Sequence, residues 1–191
     1  ERAGHHVLGD GVDELAERPL RPLLRPVLRP LVVEPAAHQE RPGGRHALPD
    51  GRAHLVEIAK RLESEGHDVI SVQVGEQYEK AGDKDYKLKP GQREDYDALL
   101  KDLSALNITP RRVVHLWGVS PANQRPLEIE RFNDAQETGF FSLLFLAQAL
   151  GKGPISINVV TSNMQDVTGE ESLCPEKATI LGPCRVIPRE L

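Results

Sequence analysis

The sequence predicts an α/β protein, a truncated Rossmann-like parallel sheet with helices on both faces. From about residue 51 onward, amphipathic helical stretches alternate with short apolar stretches. This alternation is typical of parallel sheets whose strands are connected by helices. The stretch "RRVVHLWGV" is a short, β-rich apolar run, as in a strand buried on both faces. The stretch "FFSLLFLAQAL" is apolar nearly all round, which indicates a buried helix.

The first helix of this pattern lies in "RAHLVEIAKRLESEGHD". Leu55, Ala59 and Leu62 fall on one of its faces, and Gly66 supplies a left-handed residue just past its end. "DVISVQV" follows with the alternation of a half-buried strand. After a polar loop, a short extended piece is predicted at residues 86–88.

A second amphipathic helix is predicted in "REDYDALLKDLSAL", with inward residues Tyr96, Leu99, Leu100 and Leu103. The buried strand "RRVVHLWGV" and the loop "SPANQRP" come next. A long helix is predicted in "IERFNDAQETGFFSLLFLAQALG", buried over Phe140 to Leu150. "ISINVV" reads as another buried strand, and "PEKATILGPCRVIPREL" as helical in its first half.

The first 57 residues differ in composition from the rest of the chain. They use only ten amino-acid types, all of which can be encoded by codons that begin with G or C. From Ile58 onward, 45 of 134 residues belong to the missing types. We interpret residues 1–49 as a low-complexity Arg/Pro/Leu/His-rich segment, either disordered or translated out of frame, and residues 50–191 as the folded domain. A natural low-complexity linker is the alternative, and the DNA read in a shifted frame distinguishes the two.

The near-repeat "ERPLRPLLRPVLRPL" in this segment is predicted to be neither a helix nor a central strand. Each Pro lacks a backbone donor and clashes with a preceding helical turn. The alternatives for this stretch are a polyproline-type conformation and a ligand for a PxxP-reading domain. The strand that should open the fold is therefore doubtful, since "HALP" before Gly51 is a poor strand.

Bulk composition excludes several classes of function. The net charge of −5 argues against a nucleic-acid-binding surface. No apolar run reaches membrane-spanning length, and no signal-peptide pattern is present. Cys174 and Cys184 are the only cysteines, without a CxxC pair, so neither a disulfide framework nor a zinc site is expected. A reducing cytoplasm fits this usage best.

The motifs of a nucleotide-binding enzyme are missing from this frame. The expected phosphate-binding turn reads "LPDGRAHL", where Gly51 is the only glycine, and neither GxGxxG nor GxxxxGK[ST] occurs. Reductases of the short-chain type also need a Tyr followed four residues later by a Lys. The three tyrosines fail this test, since Tyr78, Tyr86 and Tyr96 are followed at that spacing by Gly82, Pro90 and Leu100.

Individual polar residues carry weaker signals. His115 lies inside a strand, where we interpret it as a buried, hydrogen-bonded side chain rather than a catalytic imidazole. Thr161 and Ser162 follow a strand, at the edge where open α/β sheets bind ligands. No base is evident beside Ser162, so we interpret it as a helix or turn cap. Solvated surface is expected for Glu170 and Glu171, and core positions for the aromatic residues Trp117, Phe140, Phe141 and Phe145.

Four stretches together resemble the ketoreductase region of modular type I polyketide synthases, which is similar to short-chain dehydrogenases/reductases. They are "RRVVHLWGV", "GFFSLLFLAQALG", "INVVTSNMQDVTGEE" and "PEKATILGPCRVIPREL", and the resemblance extends from about Asp50 to the end. In that family the ketoreductase has two Rossmann-like halves. The second half binds NADPH and reduces the β-keto group of a carrier-bound acyl chain, while the first is a truncated, non-catalytic support. This chain resembles the first half only.

The resemblance implies no catalytic, cofactor-binding or metal-binding residue in this chain. "TSNMQDVTG" lies where the catalytic half carries its Ser, and the position of that half's Tyr would fall near Pro175. NADPH is implied for the missing catalytic half alone. The implied partners are that half and neighbouring synthase domains, including an acyl carrier protein. The alternatives are a free-standing short-chain-reductase-like oxidoreductase with a divergent cofactor site, and a non-enzymatic interaction module.

Overall fold

A computed structural model of the protein describes residues 30–34, 51–120 and 128–190. The strands are β1 (Pro30–Glu34), β2 (Ile70–Val74), β3 (Glu79–Lys80), β4 (Asp85–Leu88), β5 (Arg112–Gly118) and β6 (Ser156–Thr161). The α-helices are α1 (Gly51–Ser64), α2 (Arg93–Ala105), α3 (Ile129–Ala135), α4 (Ser142–Leu150) and α5 (Leu181–Glu190). A π-helix (Gln136–Phe141) joins α3 to α4, and a 3₁₀-helix (Pro175–Ile180) precedes α5.

The strands form one six-stranded sheet in the order β3-β4-β2-β1-β5-β6. Every neighbouring pair is parallel except β3 with β4, which is antiparallel. One face of the sheet packs on α1 through Ala59 and Leu62, and the other packs on α2 and α4. The predicted α/β class, with a mostly parallel sheet and helices on both faces, is confirmed.

A central strand lies inside the compositionally odd front of the chain, which corrects the sequence-based prediction. β1 pairs with β2 on one side and with β5 on the other, and both Leu31 and Val32 are fully buried. Pro30, the last proline of the near-repeat, takes the first position of the strand, where a missing donor is tolerated. The apolar run that follows Pro30 supplies the buried side chains. The rest of the segment 1–49 lies outside the described residues.

The first helices and strands agree with the periodicity of the sequence. Gly66 adopts the expected left-handed conformation, with φ of 84°, just past α1. In α2 the side chains of Tyr96, Leu99 and Leu103 are buried, as their helical spacing predicts. The short extended piece predicted at residues 86–88 is β4, and β3 beside it was not predicted. The loop predicted at "SPANQRP" falls largely outside the described residues.

The long helix predicted over residues 129–150 is present but contains the π-helix. The hydroxyl of Ser142 donates to the carbonyl of Thr138 at 2.7 Å, and lies 3.2 Å from that of Gly139. Such bonding of a hydroxyl to the preceding turn bends helices and competes with the regular ladder. The burial predicted for the second half of this helix is incomplete, because Phe141 remains 39% exposed.

Two predictions about the last elements are wrong. "ISINVV" was expected to be a buried strand, but β6 is the last strand of the sheet and alternates between exposed and half-buried side chains. Successive side chains of a strand point to opposite faces of the sheet, so this alternation means that one face of β6 is open to solvent. The last stretch is helical throughout the described residues, with Pro188 inside α5, rather than only in its first half.

Candidate functional site

Four polar residues meet at the carboxyl ends of β5 and β6. We call them the strand-end cluster: Ser120, Ser162, Asn163 and Lys177. Ser120 follows β5, Ser162 and Asn163 follow β6, and Lys177 lies on the 3₁₀-helix. In open α/β sheets this edge is where ligands bind. The cluster is therefore the candidate functional site of this chain.

Ser162 ties the ends of the two strands together. Its Oγ accepts the backbone N–H of Ser120 at 3.0 Å and donates to the carbonyl of Ser120 at 2.7 Å. The amide of Asn163 donates to the same carbonyl at 3.1 Å. The sequence-based interpretation of Ser162 as a cap is thus replaced by a bridge to the neighbouring strand. These bonds satisfy backbone groups that would otherwise be left without a partner where the parallel ladder ends.

The approach of the two strands depends on Gly118. The register between β5 and β6 shifts between His115 and Gly118, where Gly118 pairs with Thr161. A Cβ atom at Gly118 would lie 2.7 Å from Cγ2 of Thr161 and 3.2 Å from the carbonyl oxygen of Val160. Only a residue without a side chain lets the strands approach this closely, so Gly118 positions Ser120 opposite Ser162.

Lys177, on the 3₁₀-helix, contacts both serines of the strand-end cluster. Its Nζ lies 2.7 Å from Oγ of Ser120, and 3.3 Å from both Oγ and the carbonyl oxygen of Ser162. An ammonium group has three donors, and each has an acceptor inside the chain. Desolvation by burial lowers the pKa of Lys177. Because its donors are engaged internally, Lys177 joins the 3₁₀-helix to the ends of the two strands.

A buried ion pair holds the 3₁₀-helix beside this cluster. Arg131 on α3 contacts Oε1 of Glu176 through Nε at 2.7 Å and through a terminal nitrogen at 2.6 Å. Gln136 donates to the carbonyl of Glu176 at 2.9 Å. The carboxylate of Glu176 is 3% exposed, so removal of Arg131 would leave a buried charge. The pair fixes the helix turn that carries Lys177.

His115 is the buried, hydrogen-bonded histidine that the sequence predicted. It is fully buried, and its Nε2 lies 2.9 Å from Oγ of Ser142. The Ser142 hydroxyl donates to Thr138, so the imidazole N–H donates to Ser142. Burial lowers the pKa of His115 to about 4, so the side chain is neutral at physiological pH. It lies inside the core rather than at the strand-end cluster.

The other residues singled out from the sequence lie apart from this cluster or serve structure. Trp117 is 4% exposed and belongs to the core, as predicted, whereas Phe141 is partly exposed. Glu170 is exposed, as expected. Glu171 is half-buried, and its carboxylate accepts the backbone N–H groups of Thr168, Gly169 and Glu170. These hydrogen bonds lower the pKa of Glu171 to about 2, and the largest contribution comes from the backbone N–H of Thr168.

No tyrosine of this chain contributes to the strand-end cluster. The hydroxyl of Tyr78 donates to Asp102 at 2.6 Å, and that of Tyr96 donates to the carbonyl of Pro90 at 2.8 Å. The third, Tyr86, is buried in β4, which pairs with β2 and β3 at the opposite side of the sheet. Burial raises the pKa of all three phenols. None of the three phenols therefore lies beside Ser162.

The connection between β1 and α1 differs from the sequence-based expectation. Because β1 ends at Glu34, this connection comprises residues 35–50 rather than only "LPDG". It contains Gly43 and Gly44 but no GxGxxG pattern, and it lies outside the described residues.

Among the residues that are described, no helix is long and apolar enough to cross a membrane.

Ser120 and Lys177 were missed by sequence reasoning. A signal for Ser120 existed, since it follows a buried strand at the same sheet edge as Ser162. Lys177 carried none, because it is separated from Ser120 by 57 residues and lies in a stretch without a motif. Only the packing of the 3₁₀-helix against the strand ends brings it there.

The comparisons with known proteins agree with this architecture. Residues 47–184 match the family described as beta-ketoacyl synthase-like, N-terminal. No curated protein matches the sequence. A solved multidomain structure of a keto acid-selecting NRPS module, with adenylation, ketoreductase and pseudo Asub parts, gives a TM-score of 0.69 at 21% identity. That match covers 86% of this chain but only 12% of the module's chain.

Two reductases share the fold more distantly. Bacillus cereus enoyl-acyl carrier protein reductase, solved with NADP+ and indole naphthyridinone, gives a TM-score of 0.56 at 17% identity, covering 85% of this chain and 66% of that one. A variant of the Serratia marcescens short-chain dehydrogenase/reductase gives a TM-score of 0.54 at 15% identity. That match covers 85% of this chain and 72% of the reductase chain. At these identities the similarity is one of fold. The short-chain-reductase-like fold predicted from the sequence is confirmed.

Proposed function

The chain belongs to the family described as beta-ketoacyl synthase-like, N-terminal, and from this premise we propose that it is the non-catalytic structural half of a polyketide synthase ketoreductase. It supports a second half that binds NADPH and reduces carrier-bound β-ketoacyl chains. Its partners are that catalytic half and the neighbouring synthase domains, including an acyl carrier protein. A cytoplasmic location stays an expectation from the cysteine usage.

The fold and the family description support different parts of this proposal. The family description refers to β-ketoacyl chemistry, which fits the proposed substrate class. It names a synthase-like region, whereas the proteins of similar fold include reductases and a module with a ketoreductase. We prefer a ketoreductase role to a synthase role because a parallel sheet with helices on both faces is the fold of the short-chain reductases.

The observation that carries the proposal is the closed strand-end cluster. At the sheet edge where a reductase would bind its substrate, Lys177 and Ser162 are bonded to each other and to Ser120. The donors of Lys177 are satisfied internally, and no tyrosine lies beside Ser162. Such a site can hold two strands and a helix in a fixed arrangement. Among the described residues, the cluster presents no tyrosine to protonate a ketone, and the donors of Lys177 are already engaged.

Three measurements test the proposal. The 191-residue chain titrated with NADPH, followed by nicotinamide fluorescence and calorimetry, should show no saturable binding. The chain co-expressed with the catalytic half should then give NADPH-dependent reduction of a β-ketoacyl thioester. Lys177→Met should lower the thermal stability of this complex without changing the KM for NADPH. Saturable binding of NADPH by the chain alone would contradict the non-catalytic role.

A free-standing oxidoreductase with a divergent cofactor site is the second candidate. It is favoured by the proximity of Ser162 and Lys177 at the ligand-binding edge. For that function the isolated chain must reduce a ketone with NADPH, and both Ser162→Ala and Lys177→Met must abolish the rate while the fold is retained. The third alternative, an interaction module, requires that deletion of residues 1–29, which leaves β1 in place, abolish binding of a partner.

A further inference from the structure

An open cavity of about 420 Å³ lies along the helical segment that runs from α3 into the π-helix. Its volume falls within the range of small-molecule sites in proteins. Three phenylalanine rings and one carboxylate line it, together with uncharged polar side chains. The rings belong to Phe132, Phe140 and Phe141, the carboxylate belongs to Glu137, and Thr179 of the 3₁₀-helix also contributes. None of the residues of the strand-end cluster lines this cavity.

The π-helix and a close approach of the 3₁₀-helix assemble the lining of the cavity. Within the helical segment, Glu137 and Phe141 are four residues apart, so they lie on the same side. Gly139 is buried, and a Cβ atom there would lie 3.8 Å from Cδ1 of Ile180. The two elements therefore pack closely, and Thr179, the neighbour of Ile180, reaches the cavity. π-Helical segments of this kind are frequent at functional sites.

The aromatic rings are held in place by other rings. Phe140 contacts Phe141 edge-on at 5.2 Å between ring centroids, and Phe141 stacks on Phe145 at 5.9 Å. Phe145 in turn meets the buried ring of Tyr96 edge-on at 6.0 Å. Phe141 nevertheless keeps 39% of its surface exposed. Rings fixed in this way lose little freedom when a ligand covers them.

Glu137 gives the cavity a half-buried negative charge. Its carboxyl group packs on Gly91, where a Cβ atom would lie 3.0 Å from the carboxyl carbon. Among the residues that the structure describes, no lysine or arginine forms an ion pair with Glu137. Arg131, the basic residue nearest to it in the sequence, pairs with Glu176 instead. A cation that entered the cavity would therefore provide a counterion for this carboxylate.

We propose that this cavity binds a small methylated ammonium cation. Aromatic rings attract cations through their quadrupole, and quaternary ammonium ligands are recognised in this way. A primary ammonium carries three N–H donors that each need an acceptor, and phenylalanine rings provide none of ordinary strength. A methylated ammonium has no such need and can contact the rings through its methyl groups. An anionic ligand would be repelled by Glu137, and an uncharged one would leave its carboxylate without a counterion.

A nuclear magnetic resonance titration of the full 191-residue chain tests this inference. Choline at millimolar concentrations should shift the resonances of residues 132–141 in a saturable manner. Its uncharged isostere 3,3-dimethylbutan-1-ol should bind about tenfold more weakly, because it lacks the attraction of the rings and of the carboxylate for a cation. Ethanolamine, which keeps the hydroxyethyl group but carries a primary ammonium, should also bind more weakly than choline. The absence of a saturable shift with choline would overturn the inference, as would equal binding of choline and its isostere.

Variants with matched controls assign the binding to this cavity. Glu137→Gln keeps the shape of the side chain but removes its charge, and it should weaken choline binding by about tenfold. Glu130→Gln removes the same charge at an exposed position of α3 that does not line the cavity, and it should leave the affinity unchanged. Phe141→Leu keeps an apolar side chain without a ring and should weaken binding by about threefold.

Circular dichroism should show that these variants keep the helical content of the wild type, and Glu137→Gln alone decides the matter if Phe141→Leu does not fold. Equal effects of Glu137→Gln and Glu130→Gln would show a general response to net charge and would overturn the inference. Ethanolamine or N-acetylarginine amide binding as tightly as choline would show a site for any basic group, and would overturn the assignment to a methylated ammonium.

Discussion

The Nζ atom of Lys177 lies 2.7 Å from the Oγ atom of Ser120, a contact that joins the 3₁₀-helix to the end of β5. Both residues belong to the edge of the sheet where related folds bind their ligands. Here the lysine also contacts Ser162 at the end of β6. One side chain thus fixes three elements, and its role can be tested by measurements of stability.

Replacement of Lys177 should destabilise the chain. Lys177→Met keeps most of the aliphatic stem but leaves acceptors at Ser120 and Ser162 without their donor. We expect the free energy of unfolding to fall by roughly 1–3 kcal/mol, the usual cost of unsatisfied polar groups. Urea denaturation followed by circular dichroism measures it. Lys152→Met, at an exposed lysine, is the control, and an equal loss there would show that the cluster contributes nothing.

Introduction of a side chain at Gly118 should separate the ends of β5 and β6. In Gly118→Ala the new Cβ atom would lie 2.7 Å from Cγ2 of Thr161, so one of the strands must shift. We expect a cost of about 1–3 kcal/mol in unfolding free energy, as for other overpacked sites. Gly153→Ala is a matched control, because nothing lies within 4 Å of its Cβ position. Equal thermal stability of the two variants would contradict the close approach.

The sequence was informative where side-chain periodicity decides structure and uninformative where distant elements meet. The faces of α2 and the alternation of β2 followed from apolar spacing, since burial on one side imposes it. β1 was missed because the prolines of the near-repeat were taken to exclude a strand, although Pro30 is accommodated at its first position. The exposure of Val160 was missed because the sequence of β6 does not reveal that one face of this strand is left uncovered.

The candidate site was predictable only in part for the same reason. Ser162 was identified from its place after a strand, and the lack of a suitable tyrosine was evident from spacing alone. The contact of Ser162 with Lys177 depends on how the 3₁₀-helix packs against the sheet. That arrangement rests on long-range contacts such as Arg131 with Glu176, which carry no local pattern.

The stability of the chain should fall in mild acid because of His115. Burial lowers the pKa of His115 to about 4 in the folded state, against an ordinary value of about 6.5 in the unfolded chain. The folded state therefore disfavours the protonated form. The contribution of neutral His115 to the free energy of unfolding is fully present above about pH 6.5. It is lost as the pH falls toward 4, and the total loss is about 3 kcal/mol. Urea denaturation at a series of pH values measures this loss.

A variant without the imidazole isolates the effect of His115. His115→Gln can still donate to Ser142 but does not titrate in this range. The difference in unfolding free energy between wild type and this variant should therefore change between pH 6.5 and 4. A constant difference across this range would mean that His115 does not take up a proton on unfolding.

The strand β1 should be essential for folding, although it lies in the compositionally odd front. Val32 is fully buried in the centre of the sheet, where it packs with Val69 and Leu116. Val32→Asp places a carboxylate there without a partner, a change that costs several kcal/mol. We expect loss of the cooperative transition in thermal unfolding. Val167→Asp on the exposed loop should retain it, and a folded Val32→Asp chain would exclude β1 from the sheet.

The outer edge of β6 should govern slow association of the chain. β6 is the last strand of the sheet among the described residues, and its outward side chains Ser156, Asn158 and Val160 carry no charge. An edge strand without exposed charges invites pairing with strands of other molecules, and a lysine on an edge strand opposes it. Val160 is 44% exposed, so Val160→Lys should be accommodated without loss of packing. We expect this variant to reduce light scattering during prolonged incubation near the unfolding temperature.

Val167→Lys adds the same charge to a loop and should not reduce the scattering. If both lysines suppress scattering equally, net charge rather than the β6 edge controls association.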